Sequence, residues 1–146
     1  MVEAVENQAS DLVAGEYEGG YKVWECSIDL SKYIAENGEI VRGKKVLELG
    51  CGQGLAGITA IMCGGVVHFQ DYDVDVVENL TIPIVMRNIE RADSTCSNNS
   101  RFFAGDWGTL REVLDETYDV VLTSETIYSV ENMPRLLGCI KSVRIS

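Results

Sequence analysis

Short apolar runs alternate along the chain with stretches in which apolar residues recur at helical spacing. The runs predict four strands, at 46–49, at 66–73, within 101–107 and within 118–128. The helical spacing predicts helices over 23–38, 55–63, 74–91, 108–116 and 133–143. Because strands and helices alternate with short connections, we expect an α/β fold with a doubly wound parallel sheet.

A glycine-rich turn follows the first predicted strand. Residues 46–54 read VLELGCGQG, so the apolar run ends directly at Gly50, and a buried helix is predicted from Leu55. A strand, a glycine turn and a helix start bring a nucleoside cofactor against bare backbone. Glycine suits that turn because a side chain would hold the ligand off, and because the chain must adopt positive φ there.

The glycines alone do not identify which cofactor binds. Gly52, Gly54 and Gly57 also satisfy the dinucleotide pattern G-x-G-x-x-G, and a turn that binds no ligand is a further alternative. The dinucleotide match begins two residues late, since the strand already ends at Gly50. Glu48 also weighs against a pyrophosphate, because its carboxylate would repel that group but would suit a positive ammonium and sulfonium.

Composition narrows the class of protein. A chain of 146 residues with 46% hydrophobic residues is expected to form one domain, which we place at 21–146 behind an acidic N-terminal arm over 1–20. The net charge of −11 disfavours direct nucleic-acid binding, which needs clustered Lys and Arg. We expect no signal peptide and no membrane span, because the N-terminus is acidic and polar and no apolar run is long enough.

The cysteines predict no metal site. The chain has five cysteines and one histidine, and no two cysteines have C-x-x-C spacing. We interpret them as reduced thiols of an intracellular protein, and His68, which lies within the second predicted strand, as structural.

Polar and aromatic residues follow each later strand, at the carboxyl ends where such sheets bind ligands. They are Gln70, Asp71 and Tyr72 after the second strand, Gly105, Asp106 and Trp107 after the third, and Ser124, Glu125 and Tyr128 after the fourth.

Two of these positions suggest roles in binding a nucleoside. Asp71 lies about 20 residues past the glycines, where a carboxylate accepts hydrogen bonds from both ribose hydroxyls. Asp73 ranks second for that role, and a helix N-cap is the structural alternative for Asp71. Asp106 and Trp107 suit an adenine, with a carboxylate for the exocyclic amine and an indole face for the ring; core packing is the alternative for Trp107.

Five segments carry a resemblance to a known family. They are GEYEGGYKVWECSIDLSKYI from Gly15, VLELGCGQGLAGITA, VHFQDYD, FFAGDW and YDVVLTSETIY. In order and spacing they resemble the histidine protein methyltransferases, a branch of the class I (seven-strand) S-adenosylmethionine-dependent methyltransferases. The resemblance implies S-adenosyl-L-methionine as cofactor, a histidine of a large-subunit ribosomal protein as substrate, and a cytoplasmic and nuclear location.

The resemblance also implies site residues. The cofactor would contact residues of the VWECS segment, of the glycine turn and of the strand ends: Val23, Trp24, Glu25, Cys26, Ser27, Gly50, Gly52, Gln70, Asp71, Tyr72, Gly105, Asp106, Trp107 and Ser124. The acid-x-x-aromatic signature supplies the catalytic candidates Glu125, to orient the substrate imidazole, and Tyr128, to wall the methyl pocket. A helix cap and an ordinary packing tyrosine are the alternatives. Without the resemblance, Trp24 would be interpreted as a core residue.

The family continues with further strands after the helix that begins near Met133. We therefore expect only the first four strands of a C-terminally truncated domain, with the far edge of the fourth strand, over 120–124, exposed. We expect a monomer that binds cofactor and a protein substrate. The alternatives are a protein-lysine methyltransferase, a non-catalytic remnant that binds only cofactor or a partner, and a dinucleotide-dependent oxidoreductase.

Overall fold

The computed structural model describes residues 19–92 and 99–144. The predicted arm over 1–20 and the predicted polar loop over 92–100 therefore lie mostly outside the described residues, as does Cys96.

Four strands form within the predicted segments. They are β1 (Lys45–Leu49), β2 (Val66–Asp71), β3 (Phe102–Ala104) and β4 (Val120–Thr123). All neighbours are parallel, and the spatial order is β3-β2-β1-β4. The strand order reverses between β1 and β4, which is the position where open α/β sheets bind ligands. The prediction of a doubly wound parallel sheet is confirmed.

The helices cover both faces of this sheet. They are α1 (Glu25–Glu36), α2 (Leu55–Met62), α3 (Val74–Val76), α4 (Ile82–Arg91), α5 (Trp107–Val113) and α6 (Met133–Val143). Alternation along β1 explains the two layers. Val46 packs into the core formed with α1, α2 and α4, whereas Leu47 and Leu49 pack into the core formed with α5 and α6.

The predicted helix over 74–91 is divided into three parts. A π-helical segment, Val77–Thr81, lies between α3 and α4. Pro83 lies in the first turn of α4, directly after the π-helical segment.

The far edge of β4 is paired only just before the strand begins. The backbone N–H of Tyr118 donates to the carbonyl of Val143 at 2.7 Å, and Tyr118 forms an isolated parallel bridge with Arg144. Within the described residues, no other segment pairs with β4 on the side away from β1. The expectation of an exposed edge over 120–124 thus agrees with the described part of the sheet.

No helix in residues 19–92 and 99–144 has both the length and the apolar character needed to cross a membrane.

Candidate functional site

A cavity of about 350 Å³ opens at the carboxyl ends of the strands. That volume lies at the lower end of the range for small-molecule sites. Its walls come from the segment before α1, from the turns after all four strands and from the start of α6. Of the residues predicted from the sequence, the cavity is lined by Val23, Trp24, Ser27, Gly50, Gly52, Gln70, Asp71, Tyr72, Gly105, Asp106, Trp107, Ser124, Glu125 and Tyr128.

The glycine turn has the predicted backbone conformation. Gly50, Gly52 and Gly54 have φ of 62°, 51° and 75°, values that side-chain-bearing residues rarely adopt. The structure adds a second steric reason for glycine at two of these positions. A Cβ on Gly50 would meet the Thr126 methyl group at 2.6 Å, and one on Gly52 would meet the carbonyl oxygen of Gly20 at 2.9 Å. These two glycines therefore also permit close packing within the protein.

Asp71 joins the end of β2 to the glycine turn. Its Oδ2 accepts the backbone N–H of Gly52 at 2.9 Å, and its Oδ1 accepts that of Asp73 at 3.3 Å. Burial raises the pKa of this carboxyl, while the backbone donors oppose the rise. The alternative of a helix N-cap is wrong for Asp71, because Asp73 caps α3 by accepting the N–H of Asp75 at 2.9 Å.

Glu48 does not face the cavity, so the sequence argument from its charge was wrong. Alternation along β1 places Glu48 on the same face as Val46, against α2, and leaves it 3% exposed. Its carboxylate accepts the backbone N–H of Gly57 at 2.8 Å. Burial raises the pKa of Glu48 to about 8. Glu48 therefore positions the first turn of α2 and contacts no ligand.

Asp106 and Trp107 begin α5. Asp106 is the helix N-cap, with Oδ1 accepting the N–H of Gly108 at 2.7 Å and that of Thr109 at 3.1 Å. These hydrogen bonds lower the pKa of the Asp106 carboxyl. The Trp107 indole N–H donates to Gln70 Oε1 at 3.2 Å, and its ring packs against the core beneath α5 and α6. Trp107 thus lines the cavity and also packs against the core.

The start of α1 forms one wall. Trp24 occupies the N-cap position, and its indole N–H donates to the carbonyl of Gly19 at 3.1 Å. Ser27 lies one turn along the helix and donates its hydroxyl to the carbonyl of Trp24 at 2.8 Å. The two predicted contacts Glu25 and Cys26 do not line the cavity. Residues three apart share a helix face, so Trp24 and Ser27 face the cavity, whereas the Cys26 thiol contacts the side chain of Glu125 at the cavity wall.

The turn after β4 forms the opposite wall. Glu125 has φ of 52°, which makes it the one side-chain-bearing residue with positive φ in the described part of the chain. It caps no helix, since α6 begins at Met133 after Asn132, so that alternative is wrong. Tyr128 is 41% exposed beside the cavity and is not an ordinary packing tyrosine. Strained residues in a cavity wall are typical of functional sites.

Several lining residues were missed from the sequence: Gly19, Gly20, Lys22, Cys51, Gln53, Leu55, Thr126, Glu131, Asn132 and Arg135. Glu131, Asn132 and Arg135 could have been predicted from the strand order, because the chain that follows β4 passes over the carboxyl end of this strand before α6. Gly19, Gly20 and Lys22 precede α1, where no regular pattern marks them. Among the described residues, no cluster of three or more His, Cys, Asp or Glu side chains could hold a metal ion.

Comparison with known proteins identifies the family. A family model described as lysine methyltransferase matches residues 8–145. The chain belongs to this family. Membership removes the support for a dinucleotide-dependent oxidoreductase.

Two relatives are similar to this chain over most of its length. A histidine protein methyltransferase 1 homolog of Dictyostelium discoideum is 42% identical over 134 residues, which are 91% of this chain and 42% of the relative. EEF1A lysine methyltransferase 3 of Mus musculus is 31% identical over 123 residues, 82% of this chain and 49% of the relative. The chain thus spans less than half the length of either relative.

A solved structure confirms the fold. Magnesium protoporphyrin IX methyltransferase of Synechocystis PCC 6803, with bound SAH, superposes with a TM-score of 0.62 at 18% identity, over 81% of this chain and 50% of that one. The described part of the chain therefore has the Rossmann-like fold of class I methyltransferases.

Proposed function

We propose that the chain carries the cofactor-binding part of an S-adenosylmethionine-dependent protein methyltransferase that modifies a histidine. One observation carries this proposal. A single cavity is lined both by Asp71 with the glycine turn and by Glu125 with Tyr128. The proposed nucleoside site and the carboxylate that would orient the methyl-accepting side chain therefore face the same cavity. The 42% identity to a histidine protein methyltransferase homolog, against 31% for the lysine enzyme, supports histidine as the target.

The cavity residues suit the cofactor. The Asp71 carboxylate accepts the backbone N–H groups of Gly52, Tyr72 and Asp73 and can accept further hydrogen bonds, which suits the ribose hydroxyls. The Trp107 ring offers a face for adenine. The predicted bond from the adenine amine to Asp106 would be added to the capping bonds that Asp106 already makes. When bound, the cofactor supplies an electrophilic methyl group on a positively charged sulfonium.

The acceptor histidine must be neutral to attack. A carboxylate that accepts the N–H of one imidazole nitrogen directs the lone pair of the other nitrogen toward the methyl group. Glu125 is suited to that role, because its side chain lines the cavity and its carboxylate already accepts a hydrogen bond from the Cys26 thiol. Because charge is dispersed in the transition state, positioning and exclusion of water provide most of the acceleration. Tyr128 contributes an apolar ring to that exclusion.

The decisive experiment is a methylation assay with the recombinant chain, labelled S-adenosylmethionine and large-subunit ribosomal proteins, followed by analysis of the modified residue. We expect methylhistidine. Methyllysine would instead support the second candidate, a protein-lysine methyltransferase, which is favoured by the family description and by the mouse EEF1A lysine methyltransferase 3.

Binding should be measured separately from transfer. Titration calorimetry with S-adenosylmethionine and S-adenosylhomocysteine tests the cofactor site alone. Binding without transfer would support the remnant alternative, which is consistent with the short span of the chain relative to its relatives. Absence of binding at millimolar cofactor would refute the cofactor site in this chain.

We also propose the class of substrate, the oligomeric state and the cellular location. The resemblance and the protein methyltransferases among the relatives support a protein substrate, for which we propose a large-subunit ribosomal protein. We propose a monomer in the cytoplasm and nucleus. Light scattering of the purified chain and imaging of a tagged copy test these two statements.

A further inference from the structure

Gln70 has a buried side-chain amide at the centre of the site. It pairs with Leu49 in the sheet register, one residue before the end of β2, and is 1% exposed. Its side chain lies on the face of the sheet that carries α5, beside Trp107. Burial of an amide is costly unless its polar atoms are hydrogen-bonded, so its partners reveal its role.

The Gln70 amide joins three segments that are distant in the sequence. Its Oε1 accepts the backbone N–H of Gly50 at 3.1 Å and the indole N–H of Trp107 at 3.2 Å. Its Nε2 donates to the carbonyl of Gly105 at 2.7 Å. The first two partners are donors only and the third is an acceptor only, so the amide has one orientation that satisfies all three.

We propose that Gln70 is a positioning residue that holds the indole of Trp107 and the backbone at Gly50 and Gly105 in the geometry that binds the nucleoside. The inference rests on the proposed cofactor and adds a role for a residue that the resemblance presents as a direct contact. Without this amide, the Trp107 indole N–H would lose its acceptor, and the backbone N–H of Gly50 and the carbonyl of Gly105 would lose a side-chain partner.

The chemistry requires glutamine in particular. Methionine has similar length but provides no strong donor or acceptor. An ionised glutamate would retain the acceptor for Gly50 and Trp107, but would place an oxygen against the Gly105 carbonyl. A protonated glutamate would restore both functions, because its hydroxyl donates while its carbonyl accepts. Gln70→Glu should therefore be defective at high pH and recover as the pH falls.

The first measurement observes the hydrogen bond between the Trp107 indole and the Gln70 amide directly. The chain has two tryptophans, so a ¹⁵N-correlated NMR spectrum shows two indole N–H signals, which Trp107→Phe assigns. In Gln70→Met we expect the Trp107 signal to move and to exchange faster with solvent. The Trp24 signal serves as internal reference, since its N–H donates to Gly19. Gln53→Met is the matched control, and it should leave the Trp107 signal in place because the Gln53 amide donates to Tyr21.

The second measurement is affinity for S-adenosylhomocysteine by calorimetry. We expect Gln70→Met to weaken binding by roughly ten- to a hundredfold, the range for loss of hydrogen bonds to buried groups. We expect Gln70→Glu, measured as a ratio to the parent chain at each pH, to approach parental affinity toward pH 5. Where transfer is measurable, KM for the cofactor should rise while KM for the protein substrate stays unchanged.

The outcomes separate this inference from the proposed function. An unmoved Trp107 signal in Gln70→Met, or affinity within twofold of the parent, would overturn the positioning role. A pH-independent defect in Gln70→Glu would also overturn it, because protonation at low pH restores the donor to the Gly105 carbonyl that the proposed geometry requires. If the parent chain binds no cofactor, the proposed function fails, while the indole signal still decides whether Gln70 holds Trp107.

Discussion

The carboxylate of Asp71 accepts the backbone N–H of Gly52 at 2.9 Å, so the acid at the end of β2 and the glycine turn after β1 form one unit. We expect Asp71→Ala to abolish the rise in melting temperature that S-adenosylmethionine causes in the parent chain. Two hydrogen bonds to a charged group are lost, which corresponds to binding weaker by about a hundredfold or more. Differential scanning fluorimetry measures the effect.

Two further variants make this test specific. Asp71→Asn keeps an acceptor for Gly52 but removes the charge, so it should fold normally and still lose most of the shift. Asp73→Asn preserves the cap of α3 and should retain the full shift. An Asp73 variant that loses the shift while the Asp71 variants keep it would reverse the assignment.

Glu125 combines positive φ with a position in the cavity wall. Glycine adopts this backbone without strain, so Glu125→Gly should stabilise the fold by about 1 kcal/mol, a few degrees in melting temperature. It should also abolish methyl transfer while cofactor binding persists. Glu125→Gln retains the strained backbone without the charge and should lose transfer without gaining stability. Full transfer by either variant would exclude Glu125 from catalysis.

Gly57 lies where α2 crosses β2, and a Cβ there would collide with the Phe69 ring and the Glu48 carboxylate. We expect Gly57→Ala to destabilise the fold by about 1–3 kcal/mol in urea unfolding, the range for overpacked cores. Helix propensity alone predicts the opposite sign, since alanine favours a helix by about 1 kcal/mol over glycine. Gly43→Ala is the control, with positive φ of 69° but open space around its Cβ, and should cost only about 1 kcal/mol.

Glu48 should make the fold less stable as the pH rises. Its pKa is raised from 4.5 to about 8 in the folded protein, so the folded state holds a proton that the unfolded state has released between these values. The contribution of Glu48 to stability therefore falls from pH 4.5 to pH 8. Glu48→Gln keeps an acceptor for Gly57 and should remove this slope, leaving the variant more stable at pH 8 by on the order of a few kcal/mol. Parallel urea curves for parent and variant at pH 5 and pH 8 check this.

His68 should make the fold less stable as the pH falls, which is opposite to the effect of Glu48. Burial lowers its pKa from 6.5 to about 4, and its Nδ1 lies 2.8 Å from the Tyr118 hydroxyl. The unfolded state binds the proton first, so stability declines as the pH falls from 6.5 toward 4. We expect His68→Gln to lose less stability than the parent between pH 7 and pH 5. Tyr118→Phe removes the hydrogen bond but keeps the imidazole, and should retain the acid sensitivity.

The sequence predicted the strands well because each is a short apolar run next to a glycine or polar turn. It also predicted which residues meet in one cavity at the carboxyl ends, because parallel strands present these ends at one edge. The prediction that the Glu48 carboxylate faces the cofactor was wrong. It considered only the position of Glu48 before Gly50, whereas the two-residue period of β1 decides which face of the sheet Glu48 occupies. Glu25 and Cys26 do not line the cavity, because the motif was carried over as a contiguous run whereas successive residues of a helix face different directions.

Other features depend on contacts that no local pattern contains. The Gln70 amide meets partners 20, 35 and 37 residues away, so its role is visible only after the chain folds. The strain at Glu125 likewise follows from the path between β4 and α6. The sequence thus indicated which strand ends form the site, while the connections among them came from the structure.

The π-helical segment Val77–Thr81 has a consequence for the evolutionary record of this helix. A π-turn contains one residue more than the α-helical turn it replaces. The extra residue positions the Thr81 hydroxyl to donate to the carbonyl of Gly52 at 2.6 Å. Relatives with a regular α-helix here should therefore carry a one-residue deletion between the acid after β2 and Pro83, and should lack a hydroxyl beneath the glycine turn.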